Sequence, residues 1–328
     1  MEEFFIVDEL LRAVEDSNGL AEWHELDRVS AGGKTWPILG ITIGSRNREH
    51  PCLGLFAGVH GLEKIGTHVV VSTLDSLLQQ LHWDRDLQHT LEESRIVAIP
   101  IVNPGGMALN LRANPHGVDL MRNAPVEADV RPHDFPFLIS GHRLTSRLPW
   151  YRGQEGAPME LESQALMEFV RKEMFPSKVA LGVDFHSGFG VRDRFWFPYA
   201  RSREEFPRVQ EVEAIKRTMD ETLLHHVYVV EPQSYTYLTH GDLWDYLFDE
   251  HRRLDLSGEK IFIPFTVEMG SWNWVKKNPK QIFSAKGLFN PIIEHRYERT
   301  LRRHQQLIEF LFKMVRNPHV WSRHTPPP

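Results

Sequence analysis

Short apolar runs alternate with longer segments of helical period through most of this 328-residue chain, and that alternation constrains the fold more than any other feature. Trp36 to Ile43, Leu53 to Val59, Ile96 to Val102, Val179 to Phe185, Val227 to Val230 and Phe262 to Val267 read as strands. Between them, Glu63 to Leu81 carries Ile65, Val69, Leu74, Leu77 and Leu78 on one side of a helix. Glu160 to Glu173 and Glu204 to Leu224 repeat that spacing, and residues 3 to 16 form a further predicted helix. The last helix is expected to open with Asn290 as N-cap and Pro291 at its first position. Strands alternating with helices of this length predict an α/β sheet covered on both faces.

Residues 103 to 158 break the pattern. Pro, Gly, Arg, Asn and His dominate there, predicting long loops, and within them residues 124 to 158 could form a lid or substrate rim. No repeat and no linker divides the chain. The expectation is one domain over 1–328, with 1–33 as a helical lead-in and 319–328 as a flexible tail.

The formal charge of −6 is the wrong sign for a chain whose task is neutralising phosphates, so nucleic acid is not an expected partner. The single cysteine, Cys52, precludes an intrachain disulfide and reads as a small buried hydrophobe in a strand. The N-terminus lacks a basic segment before its apolar run, and no stretch reaches 18 apolar residues. A cytoplasmic chain without a membrane span is expected.

In open α/β sheets, sites lie beyond the carboxyl ends of the strands. His60-Gly61-Leu62-Glu63 follows one strand, Asn103-Pro104-Gly105-Gly106 the next, His186-Ser187-Gly188 a third, and Glu268-Met269-Gly270 ends a fourth. Two imidazoles and two carboxylates at strand ends form the inventory of a hydrolytic zinc site, in which three His or Asp/Glu ligands leave a position for water. His60, Glu63 and His186 are the expected ligands for one Zn2+ per chain. Glu268 is the expected general base and acid.

These residues resemble the zinc carboxypeptidase family of the carboxypeptidase A type over roughly residues 34 to 312. The likeness rests on His60-Gly61-Leu62-Glu63, Asn103-Pro104-Gly105-Gly106, Gly117-Val118-Asp119-Leu120-Met121-Arg122-Asn123, Asp184-Phe185-His186 and Thr266-Val267-Glu268, in the family's order. It implies a single-domain, mixed and largely parallel twisted sheet with helices on both faces. It also implies cleavage of a peptide or amide bond next to a free carboxylate by metal-activated water. By the same resemblance, Arg112 polarises the substrate carbonyl, Arg122 pairs with the substrate carboxylate, and Asp119 orients a ligand histidine. Tyr237 caps the bound terminus, and Trp244 shapes the side-chain pocket. One position departs: Met121 stands where the family usually has Asn, which helps hold the carboxylate. That departure keeps open an N-acyl amino acid deacylase like the succinylglutamate desuccinylase and aspartoacylase branch. An idle binding module on the same fold is the third reading.

Overall fold

A computed structural model describes residues 2–130 and 138–322, the side chain of Ala285 excepted. Eight strands form one mixed sheet: β1 (Ala21–Ala31), β2 (Lys34–Gly44), β3 (Cys52–Ala57), β4 (Arg95–Ile99), β5 (Val179–Ser187), β6 (Arg194–Phe197), β7 (Val229–Pro232) and β8 (Ile261–Met269). Their spatial order is β1-β2-β4-β3-β5-β8-β6-β7. The central four, β4, β3, β5 and β8, run parallel. β2 and β6 join them antiparallel, and β1 and β7 close the edges.

Every residue of the central four strands is buried, as expected for strands covered on both faces. The helices α1 (Glu2–Glu15), α2 (Lys64–Gln80), α3 (Arg85–Glu92), α4 (Pro104–Leu109), α5 (Leu161–Glu173), α6 (Val209–Thr222), α7 (Leu243–Leu254), α8 (Trp272–Lys277), α9 (Ala285–Phe289) and α10 (Glu294–Arg316) complete the chain. Alternation along β5 shows the two layers. Phe185 turns toward His304 of α10, while its neighbour Asp184 accepts a hydrogen bond from Trp244 of α7.

Four expectations need correction. The lead-in 1–33 is helical only over α1; Ala21–Ala31 is edge strand β1. Its mostly polar, exposed residues conceal the pattern, and Gly32-Gly33, both with positive φ, close the two-residue hairpin to β2. The last helix starts at Glu294, not at Asn290-Pro291. Asn290 instead accepts from Ile65 N at 2.9 Å and donates to Leu62 O at 2.8 Å, pinning the turn before α2. The helix expected from Glu204 starts at Val209. Trp321, placed in the expected tail, is buried and donates to Met314 O at 2.7 Å; the remainder of that tail, 323–328, lies outside the described residues.

Cys52 is fully buried, and burial pushes its thiol up to about 12, which fits a small hydrophobe. Among the described residues, no helix is long and apolar enough to cross a membrane.

Candidate active site

The sheet itself assembles the site. β5 and β8 pair in a register that sets His186 directly beside Glu268. β3 neighbours β5 and leads into the turn His60-Gly61-Leu62-Glu63, closed by a hydrogen bond from Glu63 N to His60 O at 3.0 Å. Asn103 supports that turn from β4's end. It caps α4 through Gly106 N and donates to Val59 O.

His60, Glu63 and His186 converge, each buried, with one donor atom apiece lying within 4.8 Å of the others. His60 Nδ1 stands 2.9 Å from Glu63 Oε1, and His186 Nδ1 stands 3.0 Å from Glu63 Oε2 and 3.2 Å from His60 Nδ1. Both rings turn the opposite nitrogen toward a buried aspartate. His60 Nε2 lies 3.1 Å from Asp119 Oδ1, and His186 Nε2 lies 2.9 Å from Asp184 Oδ2. Burial disfavours a charged His186 ring, but Asp184 and Glu63 outweigh it and hold its pKa well above the usual histidine range. Burial likewise opposes ionisation of Glu63, yet His60 and His186 hold it below the ordinary carboxylate range. A buried carboxylate with two imidazole nitrogens facing one another fits a divalent cation in chemistry and in donor set.

The surrounding cleft is about 610 Å³ and is lined by all the expected site residues but one. Glu268 is buried; its Oε1 accepts from Phe189 N at 2.9 Å, and burial followed by the charge of Glu63 pushes its pKa up to about 8. Asp119 Oδ2 receives Arg112 Nε at 3.2 Å and Arg122 Nη1 at 3.1 Å. Burial opposes its charge, but those two guanidiniums and His60 hold it well below the usual range. Arg112 also reaches Glu63 Oε1 at 3.0 Å, and Arg122 is fixed to Ile139 O at 3.0 Å. Met121 is buried at the wall. Tyr237 lines the cleft between Phe189 and Trp196, whereas Tyr235 projects into solvent.

Trp244 is the exception. It faces the core against Phe56 and donates to Asp184 behind His186, so it does not shape the cleft. The Asp242 cap on α7 fixes that helix's phase and turns the indole inward. The rim of the cleft includes Ile139 and Ser146 to Trp150, within the segment expected as a rim; residues 131–137 of that segment lie outside the described residues.

A family profile described as zinc carboxypeptidase matches residues 25–275. The chain belongs to this family. Carboxypeptidase M of Mus musculus is 22% identical over 192 residues, 55% of this chain and 36% of that relative, so the match spans little more than a third of the relative's length. Among solved structures, bovine thrombin-activatable fibrinolysis inhibitor in complex with tick carboxypeptidase inhibitor superposes with a TM-score of 0.66 at 16% identity, covering 97% of this chain and 96% of that one. Carboxypeptidase A from Helicoverpa armigera gives a TM-score of 0.54 at 15% identity, covering 91% and 71%. These likenesses show that the fold is the zinc carboxypeptidase fold. Asp184 is the buried acid that sequence reasoning left without a role. The signal was present, because the spacing Asp-x-His within a strand sets both side chains on one face.

Proposed function

We propose that this chain is a zinc-dependent metallocarboxypeptidase that cleaves a peptide or amide bond beside a free carboxylate. The observation that carries the reading is the meeting of His60, Glu63 and His186 in one cleft with Glu268 and Arg122. The names of the relatives, carboxypeptidases, support the same class.

His60 Nδ1, His186 Nδ1 and the Glu63 carboxylate would hold the zinc. When bound, zinc supplies a Lewis acid that polarises a carbonyl and lowers the pKa of water. Glu268 has one oxygen anchored by Phe189 N, leaving Oε2 to take a proton and return it to the departing amine. Arg122, held by Asp119 and Ile139 O, presents the rest of its guanidinium to the substrate carboxylate, a geometry suited to a two-point contact. Arg112 stands at Glu63 and Asp119, where its charge can steady a developing oxyanion. Tyr237 closes one wall.

A second reading, hydrolysis of N-acyl amino acids, is favoured by Met121, which places a thioether where an amide donor would help clamp a peptide terminus. Both substrate classes carry a free carboxylate. An idle binding module is disfavoured by the intact set His60, Glu63, His186 and Glu268. The lone buried thiol suits a reducing compartment, and we place the chain in the cytoplasm.

The test is zinc analysis of purified protein, followed by parallel assays on N-blocked dipeptides and on acyl amino acids. Release of the C-terminal residue supports the carboxypeptidase. Hydrolysis confined to acyl amino acids transfers the chain to the deacylase reading. No activity on either, with zinc bound, overturns both.

A further inference from the structure

We propose that Asp184 is a positioning residue for His186, and that the indole of Trp244 holds Asp184 in place for that task. The inference rests on His60, Glu63 and His186 being metal ligands. Strand geometry sets the stage: Asp184 and His186 are two residues apart on β5 and therefore share a face. Asp184 is fully buried, its Oδ2 lies 2.9 Å from His186 Nε2, and the same oxygen accepts from Trp244 Nε1 at 2.9 Å.

The polar atoms at this junction have few choices. Neither His186 Nε2 nor Asp184 Oδ1 has a hydrogen-bonded partner among the described residues. Buried polar groups in native proteins are nearly always paired, so ring and carboxylate are left to satisfy one another. Committing Nε2 to the carboxylate aims Nδ1 at Glu63 and His60, 3.0 and 3.2 Å away.

His60 shows the same arrangement in mirror image, with Nε2 on Asp119 and Nδ1 inward. The two aspartates are held differently. Asp119 is clamped by Arg112 and Arg122, whereas Asp184 forms no ion pair with Arg or Lys among the described residues. The indole N–H fixes Asp184's position without pairing its carboxyl to a cationic side chain. Trp244 can do this because it is wedged in the core, with Phe56 at 5.0 Å between ring centres.

The experiment measures the zinc dissociation constant by chelator competition, together with the melting temperature of metal-free protein. Parent, Asp184→Asn, Trp244→Phe and the double variant are compared. Asp184→Asn is expected to weaken zinc binding about 10- to 100-fold, the range for loss of a carboxylate behind a ligand histidine, without lowering the metal-free melting temperature. Trp244→Phe is expected to give a smaller loss of zinc affinity that does not add to that of Asp184→Asn, because it acts through the same carboxylate. Unchanged zinc affinity in Asp184→Asn, or full additivity in the double variant, overturns the inference while leaving the proposed function standing. A parent protein with no zinc affinity overturns both.

Discussion

Glu63 and Glu268 are buried carboxyls in the same cleft whose surroundings drive them to opposite protonation behaviour. Two imidazoles keep Glu63 charged, while burial and the charge of Glu63 itself lift Glu268 to about 8. The first suits a ligand and the second a proton carrier. Glu268→Gln is therefore expected to retain zinc while turnover falls at least about 100-fold, read from metal content and steady-state kinetics. Near-normal turnover would remove Glu268 from the reaction. His186→Ala is expected to lose most of the bound zinc, and a full zinc complement in that variant would show that another residue completes the cage. These residues were legible in the sequence because each follows or ends an apolar run, and strand ends meet on one side of a parallel sheet. Trp244 was misread because the residue of a loop-to-helix junction that faces the cleft depends on helix phase. Here the phase is set by Asp242 accepting from Trp244 N and Asp245 N. Tyr237 faces the cleft, while Tyr235, two residues before it, is exposed to solvent.

At the scale of elements, the turn between β3 and α2 carries two of the three expected ligands and has no room to move. A side chain on Gly61 would collide with the backbone of Gly106 and Met107 in α4, which cannot retreat because Asn103 caps it and bonds back to Val59 O. Gly61→Ala is expected to destabilise the fold by at least about 1–3 kcal/mol, the usual cost of overpacking a close contact, and to weaken zinc binding in parallel. Denaturant unfolding of metal-free protein checks the first effect and chelator competition the second; parent-like values in both would show that the turn is not confined by α4. The long elements were readable for the same reason that this turn is rigid: they bury whole faces. β3, β4, β5, β8, α2 and α5 announce themselves by apolar run or helical period. β1 did not, because the middle of this edge strand is open on both faces and carries Glu22, His24, Glu25 and Asp27. β6 has only four residues, too few for a period to register. The start of α10 was misread because Asn290-Pro291 has the composition of a cap. Its side chain is instead spent on Ile65 and Leu62, contacts more than 220 positions away that no local pattern encodes.

Across the whole molecule, buried histidines sit in both layers that cover the sheet, His251 and His304 among them. His251 of α7 packs against Phe175 and Phe262, and His304 of α10 packs toward Phe185 with its Nδ1 2.8 Å from Tyr228 Oη. Burial lowers both from 6.5 to about 4; around His304, Asp193 partly opposes that shift and Arg303 adds to it. The sign follows from which state takes up the proton first. The unfolded chain protonates these rings near 6.5, and the folded chain does so only near 4. Their contribution to stability is therefore complete above pH 6.5 and is lost as pH falls through that window. Asp242 works against this trend, because its carboxyl is raised from 3.8 to about 6 by burial and its contribution fades as pH rises. A comparison of parent with His304→Gln cancels the Asp242 contribution and isolates the histidine. The stability advantage of the parent over the variant is expected to shrink on acidification from pH 6.5 to 4, by at most about 1.4 kcal/mol per pH unit, the value of one proton. Urea unfolding of metal-free protein at pH 7, 6, 5 and 4.5 measures it. A difference that stays constant across those pH values would mean that the folded chain protonates His304 as readily as the unfolded chain does, and the packing of α10 on the sheet would then have to accommodate a cation beside Phe185 at low pH.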